Sequence, residues 1–379
     1  TRKESSAASD VYKRQMPQRI PELIRVLGVL AAILTALGIV ATVAGGSSQA
    51  SRQGAPATPT TTPAAEQTTV RETARPGFAP EPTKLEIPTH DGSGQVTHPS
   101  VVHIPRGWNG YEYWMAMTPY PFGKDSEEDP NIVASHDGDH WEVPRGVSNP
   151  LDDEPGGRGA YNSDTNLVLV DGTMYMTWRK VTENRKVEFY MRTSTDGANW
   201  TEPVLIATPT RNSLSQSLVR IGEVWRMYAV QTSTGENELV YWETTDLVPT
   251  PESWGATNPC GINSLGPDFE PWHIDIQHVN GSWYGLLTVS RWNQNGVDSR
   301  VHLMRSADGM NWSAVSEPIF PVAGGWYDSH YKSGFVVHPD GNKTRMDIYA
   351  AVVDSKTKAR YVGRTEATLH VNSASGNSG

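Results

Sequence analysis

The sequence predicts an all-β protein, a five-bladed β-propeller with four-stranded antiparallel blades, and three observations lead there. First, one phrase recurs: Ser135-His-Asp137-Gly138-Asp-His-Trp141, Ser194-Thr-Asp196-Gly197-Ala-Asn-Trp200 and Ser306-Ala-Asp308-Gly309-Met-Asn-Trp312. The interval from 194 to 306 is close to twice that from 135 to 194, and a degraded copy, Thr244-Thr245-Asp246-Leu247 running on to Trp254, fills the gap. A period of this size, with short strands between turns, marks radially repeated blades. Second, 13 Trp stand in a chain only 37% hydrophobic, the composition of many short strands joined by solvated turns. Third, alternating runs such as Thr173-Met-Tyr-Met-Thr-Trp178 are frequent, whereas beyond the N-terminal segment no stretch repeats apolar residues at helical spacing.

The repeated phrase has a physical reason. Asp-Gly supplies a side-chain cap and the positive φ of a tight turn, the Ser hydroxyl ties the turn from its other side, and Trp fills the wedge between blades. The phrase therefore counts blades and does not catalyse, and Trp141, Trp200 and Trp312 are expected to be buried. Turns and strands place the blades at Thr97–Trp141, Asn162–Trp200, Ser213–Trp254, Trp272–Trp312 and Asp328–Val371. The short run Lys84-Leu-Glu-Ile-Pro88 has no partner of its own and is expected to pair with the last blade, closing the ring and removing an edge.

Residues 1–15 resemble a translated library adapter, with Met16 as the native start. They carry Arg2, Lys3, Lys13 and Arg14 against Glu4 and Asp10, so without them the net charge of −10 becomes −12. Such an acidic surface argues against nucleic acid and anionic lipid head groups as partners. Arg19 and Arg25 flank a charge-free stretch from Val26 to Ala50, so 16–50 read as a signal peptide or an N-terminal membrane anchor. Either sends the remainder across the membrane, to the extracellular side or the outer face of the cell membrane. Residues 51–83, rich in Pro, Thr and Ala, read as a disordered linker, 84–371 as the propeller and 372–379 as a disordered tail. The single cysteine, Cys260, rules out a disulfide framework, so the core alone stabilises the domain.

Each blade opens with a polar cluster followed by an apolar and then an aromatic strand: His98-Pro99-Ser100 before Tyr113-Trp114, Asn162-Ser163-Asp164 before Met174–Trp178, Glu270-Pro-Trp-His273-Ile-Asp275 before Trp283-Tyr284. Over about residues 90–370 this order resembles the five-bladed propeller glycosidases, glycoside hydrolase families 43, 32 and 68, which include arabinanases, invertases and levansucrases. The resemblance implies that inner-strand openings face an axial funnel where three carboxylates act as base or nucleophile, acid and helper. Glycoside cleavage needs one carboxylic acid kept protonated and one carboxylate kept ionised. Glu128, Asp129, Asp164, Glu270, Asp275 and Asp328 stand at blade openings. Asp164 and Asp275, free of turn signatures, are the expected catalytic pair. One departure matters: His98-Pro99 stands where arabinanase-like enzymes open with Asp-Pro, so Glu128 or Asp129 is expected to replace the missing acid.

His98 and His273 are expected to bind sugar hydroxyls or to join Asp residues at a metal, without any dedicated zinc spacing. The resemblance allows a structural calcium ion at the axis and requires no other cofactor. Sugars present flat C–H faces beside hydroxyls, which favours aromatic platforms with polar neighbours. Trp114, Tyr120, Trp178, Trp292, Trp326 and Tyr327 are candidates, with Arg179 and Lys332 as contacts for an acidic sugar and Glu270 and Asp328 as further substrate contacts. The expected partner is an oligo- or polysaccharide. The expected function is an exported glycoside hydrolase acting on a furanoside or related glycan; the alternatives are a non-catalytic carbohydrate-binding propeller and a sialidase-like enzyme, the latter suggested by the Ser-x-Asp-Gly-x-x-Trp phrase.

Overall fold

The computed structural model describes residues 78–370 apart from 154–155, 233–235, 264 and 341–342. The segments read from the sequence as an adapter, an export signal or anchor, a linker (up to 77) and a C-terminal tail lie outside the described residues. Among the described residues no helix is long and apolar enough to cross a membrane.

Five antiparallel sheets radiate from one axis. Blade 1 comprises, from the axis outwards, Val96–Trp108, Tyr111–Pro119, Asn131–Ser135 and Trp141–Glu142. Blade 2 comprises Tyr161–Val170, Thr173–Val181, Val187–Ser194 and Val204–Ala207, and blade 3 Ser213–Ile221, Val224–Gln231, Glu238–Thr244 and Asn258–Pro259. Blade 4, Phe269–Val279, Ser282–Arg291, Arg300–Ser306 and Asn311–Ala314, gains an outer parallel strand, Gly261–Asn263. Blade 5 is Gly334–Asp340, Lys343–Asp354 and Ala359–His370, and its outermost strand comes from the other end of the domain. There Thr83 pairs with Arg364 and Lys84 with Gly363, and the Leu85 amide donates to Val362 at 3.0 Å. The ring is closed by chain segments far apart in sequence, and part of the outer edge of Ala359–His370 is covered by Thr83–Lys84.

Hydrophobic residues gather in five wedges, one at each blade interface. Between blades 1 and 2 the wedge holds Trp114, Ile132, Leu167, Met176 and Trp178; between blades 3 and 4 it holds Tyr228, Ile274, Trp283, Leu287 and Trp312. The Asp-Gly turns complete these wedges. Ser Oγ accepts the Gly amide (2.9 Å at Gly138, 2.8 Å at Gly197, 2.9 Å at Gly309), and the Asp carboxylate accepts the next two amides. Glycine is required twice over at Gly197: φ is +71°, and a Cβ would lie 2.2 Å from the Trp114 ring of the preceding blade. Trp141 and Trp312 are buried as expected, but Trp200 is only half-buried, its indole N–H reaching the Gly197 carbonyl at 3.0 Å. In the degraded fourth copy Trp254 instead donates to Ile206, and Trp225 donates to the Leu247 carbonyl.

The two faces of the ring differ. In blade 1 Ser135, which starts the repeated phrase, pairs with Tyr113 near the start of the second strand, whereas the inner-strand opening at Val96 pairs with its end at Pro119. The Asp-Gly turns therefore lie on one face and the inner-strand openings on the other.

Candidate active site at the propeller axis

Four inner strands are interrupted close to their openings. Register shifts fall between Thr97 and Ser100, Ser163 and Asn166, Leu214 and Ser217, and Pro271 and His273. At the first three bulges His98, Asp164 and Ser215 hold φ values of 53°, 48° and 54°, a region that costs a non-glycine residue on the order of 1–3 kcal/mol. Strain repeated at equivalent places in successive blades points to a use for the side chains it redirects.

Those side chains meet. Asp164 Oδ1 lies 3.4 Å from His98 Nε2 and 3.5 Å from His273 Nδ1, and Ser215 Oγ stands between, donating to Asp164 Oδ1 at 3.0 Å and lying 2.6 Å from His273 Nδ1. His98 Nδ1 is 3.0 Å from Thr118 Oγ1 and receives the Asp164 amide at 3.2 Å. One donor atom from each of His98, Asp164 and His273 lies within 4.8 Å of the other two, and all three residues are buried. Four buried polar atoms here have no hydrogen-bond partner: His98 Nε2, His273 Nε2, Glu128 Oε1 and Asp275 Oδ2. Buried polar atoms are normally satisfied, so such a concentration marks a place built for something else to bind.

The electrostatics are those of a dry, charged chamber. Burial pushes His98 well below the usual histidine range and lowers His273, so each imidazole keeps a lone pair at neutral pH. Burial also acts against the charge of Asp164, but His98, His273 and Lys332 outweigh it and hold the carboxylate well below its ordinary value. Glu128, 3.7 Å from His98 Nδ1, is pushed well above the carboxylate range by burial and by Asp164. Burial raises Asp275 to about 7 against the pull of Lys332. Lys332, itself fully buried, donates to the Thr165 carbonyl at 2.5 Å. Half-buried Tyr331 covers the pair of imidazoles, its ring centroid 5.2 Å from that of His98 and 4.7 Å from that of His273, and Arg360 lies over both Tyr331 and Tyr120.

Of the residues singled out from the sequence, His98, Glu128, Asp164, His273, Asp275 and Lys332 come together at the axis, with Tyr120 at its rim. Asp129 instead accepts from Asn162 Nδ2 at 2.9 Å. Arg179 is fully engaged in joining blades 2 and 3, through Ser213, Asn212, Tyr161 and Ser163. Glu270 accepts the amides of Asn237 and Asn293, so it organises two loops. Trp114 and Trp178 are buried in the wedge between blades 1 and 2 and offer no face to a sugar. Trp326 and Tyr327 pack at the seam of blade 5, and Asp328, exposed, caps Ser355. Trp292 is exposed. Ser215 and Tyr331 escaped the sequence reading; the signal for Ser215 was its place at the opening of blade 3, equivalent to Asp164 in blade 2.

The donor set fits a divalent transition ion. Two imidazoles and a carboxylate suit zinc-like ions, whereas calcium takes oxygen ligands, so this cluster is not the calcium site that the resemblance allowed.

No family model matches the chain. The A type blood N-acetyl-alpha-D-galactosamine deacetylase of Flavonifractor plautii is 28% identical over 354 residues, covering 79% of this chain and 45% of the relative, so the chain spans less than half the length of the curated relative it matches. Among solved structures, an N-acetylgalactosamine deacetylase from F. plautii in complex with blood group B trisaccharide superposes with a TM-score of 0.69 at 24% identity, over 77% of this chain and 96% of that one. A thermostable family-43 glycoside hydrolase superposes with a TM-score of 0.50 at 11% identity, over 72% of this chain and 88% of that one. The chain has the five-bladed propeller of the family-43 glycosidase type. Within that fold, the His-Asp-His cluster lies at the axis, at the inner-strand openings.

Proposed function

We propose that the chain is a metal-dependent deacetylase acting on an N-acetylated sugar residue of a glycan, exported by its N-terminal segment. The observation that carries the reading is the buried His98–Asp164–His273 cluster with two unpartnered imidazole nitrogens. Similarity to a sugar deacetylase supports it. A furanosidase needs a pair of carboxylates across the scissile bond; here the first-blade residue is His98, and Asp164 lies between two imidazoles.

A divalent cation held by His98, Asp164 and His273 would supply Lewis acidity toward the acyl oxygen and water. Glu128 is the proton carrier. The charge of a bound cation would favour the ionised form of Glu128, which burial alone disfavours; that carboxylate takes a proton from water as the water oxygen bonds to the acyl carbon, then gives it to the amide nitrogen as the C–N bond breaks, so that acetate and a free amine leave. A carboxyl with raised proton affinity suits the second transfer especially. Ser215 orients Asp164 and His273 together, as partners behind metal ligands do. Lys332 offsets the buried charge of Asp164, and Tyr331 shields the imidazoles from bulk water.

The test is direct. Purified protein, metal-loaded and chelator-treated, is given methyl N-acetyl-α-D-galactosaminide, an A-type blood-group oligosaccharide and an aryl arabinofuranoside. Acetate release in step with new amine, lost on chelation and restored by a divalent ion, is expected. Glycosidic cleavage without acetate release would overturn the reading in favour of the glycosidase.

A further inference from the structure

Trp292 stands apart from the other tryptophans. It is 42% exposed, whereas each of the others is buried or half-buried. Exposure of a single large apolar side chain is ordinary, but this one sits on a backbone held from several sides. The Trp292 amide donates to Asp268 at 2.8 Å, the Asn293 amide to Glu270 Oε1 at 2.9 Å, and the Arg291 amide to Val297 at 3.0 Å. Asn237, from the neighbouring blade, donates to Asn295 Oδ1 at 3.0 Å, and Asp298 pairs with both Arg291 and Arg300 at 3.1 Å. Glu270 is itself 3% exposed, and its two oxygens fix this loop and the adjoining one. Fixing a loop with a buried carboxylate so that an indole stays in solvent is the arrangement of a preorganised contact.

Its position relates it to the axis. His273 pairs with Thr288, and the strand runs three residues further, to Arg291, toward the face where the inner strands open; Trp292 opens the turn that follows. At about 3.3 Å per residue the end of the strand at Arg291, and with it the turn that carries Trp292, lies roughly 10 Å beyond the level of the His-Asp-His cluster. A monosaccharide seated at the cluster does not span that gap, but an oligosaccharide does.

We propose that Trp292 is the stacking platform of a distal subsite, and that the substrate is therefore an oligosaccharide whose N-acetylated residue enters the axis while a more remote sugar ring lies on the indole. The proposal rests on the deacetylase reading for the group that reacts, though not for the binding itself. Binding is measured by calorimetry and acetate release by steady-state kinetics, using the methyl galactosaminide and the A-type oligosaccharide on wild type, Trp292→Ala and Trp292→Phe. Trp292→Ala should weaken oligosaccharide binding and raise its KM by about 3- to 10-fold, leaving kcat and the methyl galactosaminide unaffected, while Trp292→Phe retains most of the affinity. Equal loss on both ligands, no loss on the oligosaccharide, or no preference of wild type for the oligosaccharide overturns the subsite. Oligosaccharide binding that responds to Trp292 without any acetate release upholds the subsite and sinks the deacetylase reading.

Discussion

The two faces of the propeller use the same residue types to opposite ends. On the turn face Asp137, Asp196 and Asp308 are solvent-exposed, yet each accepts two backbone amides and a Ser hydroxyl, and Asp196 is pulled down to about 2 by the Asn199 side-chain amide together with those bonds. At the axis Glu128 and Asp275 are buried, each keeps an oxygen without a partner, and burial drives both upwards. Histidines divide in the same way. His330 receives the Val301 amide at Nδ1 and donates from Nε2 to Pro321, whereas His98 and His273 leave Nε2 unused. Among the buried carboxylates and imidazoles of the described residues, satisfaction more than burial or charge separates those that hold the fold from those gathered at the axis.

The sharpest test of that distinction is Glu128→Gln. The glutamate is already driven toward its neutral form by burial, so the amide should leave the folded state about as stable as before. Removing a proton carrier from the reaction should lower acetate release by about 10²- to 10⁴-fold with little change in KM. Retention of full activity would show that the unpartnered Oε1 marks nothing.

The wedges give the next largest effect. Trp312 is completely buried among Tyr228, Trp283 and Met304, so Trp312→Ala should cost about 3–5 kcal/mol by urea titration through the cavity it leaves. Trp200, half-buried in the corresponding phrase, should cost clearly less. Equal losses would mean that the shared motif, and not burial, sets its contribution.

His330 supplies a pH-dependent contrast. Burial depresses it to about 4, against 6.5 in an unfolded chain, so between those values the unfolded state binds the extra proton. Stability from this residue is complete above pH 6.5 and drains away as pH falls to 4, by about 3 kcal/mol in all. His330→Gln should therefore be less stable than wild type at pH 7, with the gap narrowing toward pH 4. A constant gap would show that the imidazole is not held neutral.

The sequence made the turn face legible because its requirements are local. A tight turn that needs a cap, a positive φ and no Cβ writes itself as Ser-x-Asp-Gly, and three copies counted the blades. Axial residues could be narrowed only to blade openings. His98, Asp164 and His273 lie in different blades, and their convergence depends on bulges that no local pattern announces. Asp164, expected as a catalytic carboxylate, lies at the axis between two imidazoles, a neighbourhood that its own strand does not announce. Trp114 and Trp178 looked like sugar platforms because inter-blade packing and sugar stacking select the same side chain; only burial distinguishes them.

The smallest expected effect closes the comparison. Asp308→Asn keeps an oxygen that can cap the amides of Met310 and Asn311, and its site is exposed, so solvent takes over much of the lost charge. Its Tm should fall by no more than a few degrees, and kcat and KM should not move, because the turn lies on the face away from the inner-strand openings. The same Asp→Asn change at Asp164 removes a negative charge between two imidazoles and leaves the Lys332 ammonium without its buried counter-charge. That variant should lose bound metal, measurable by mass spectrometry of dialysed protein, together with activity. If Asp308→Asn abolished acetate release while Asp164→Asn kept its metal, the assignment of one face to structure and the other to chemistry would have to be reversed.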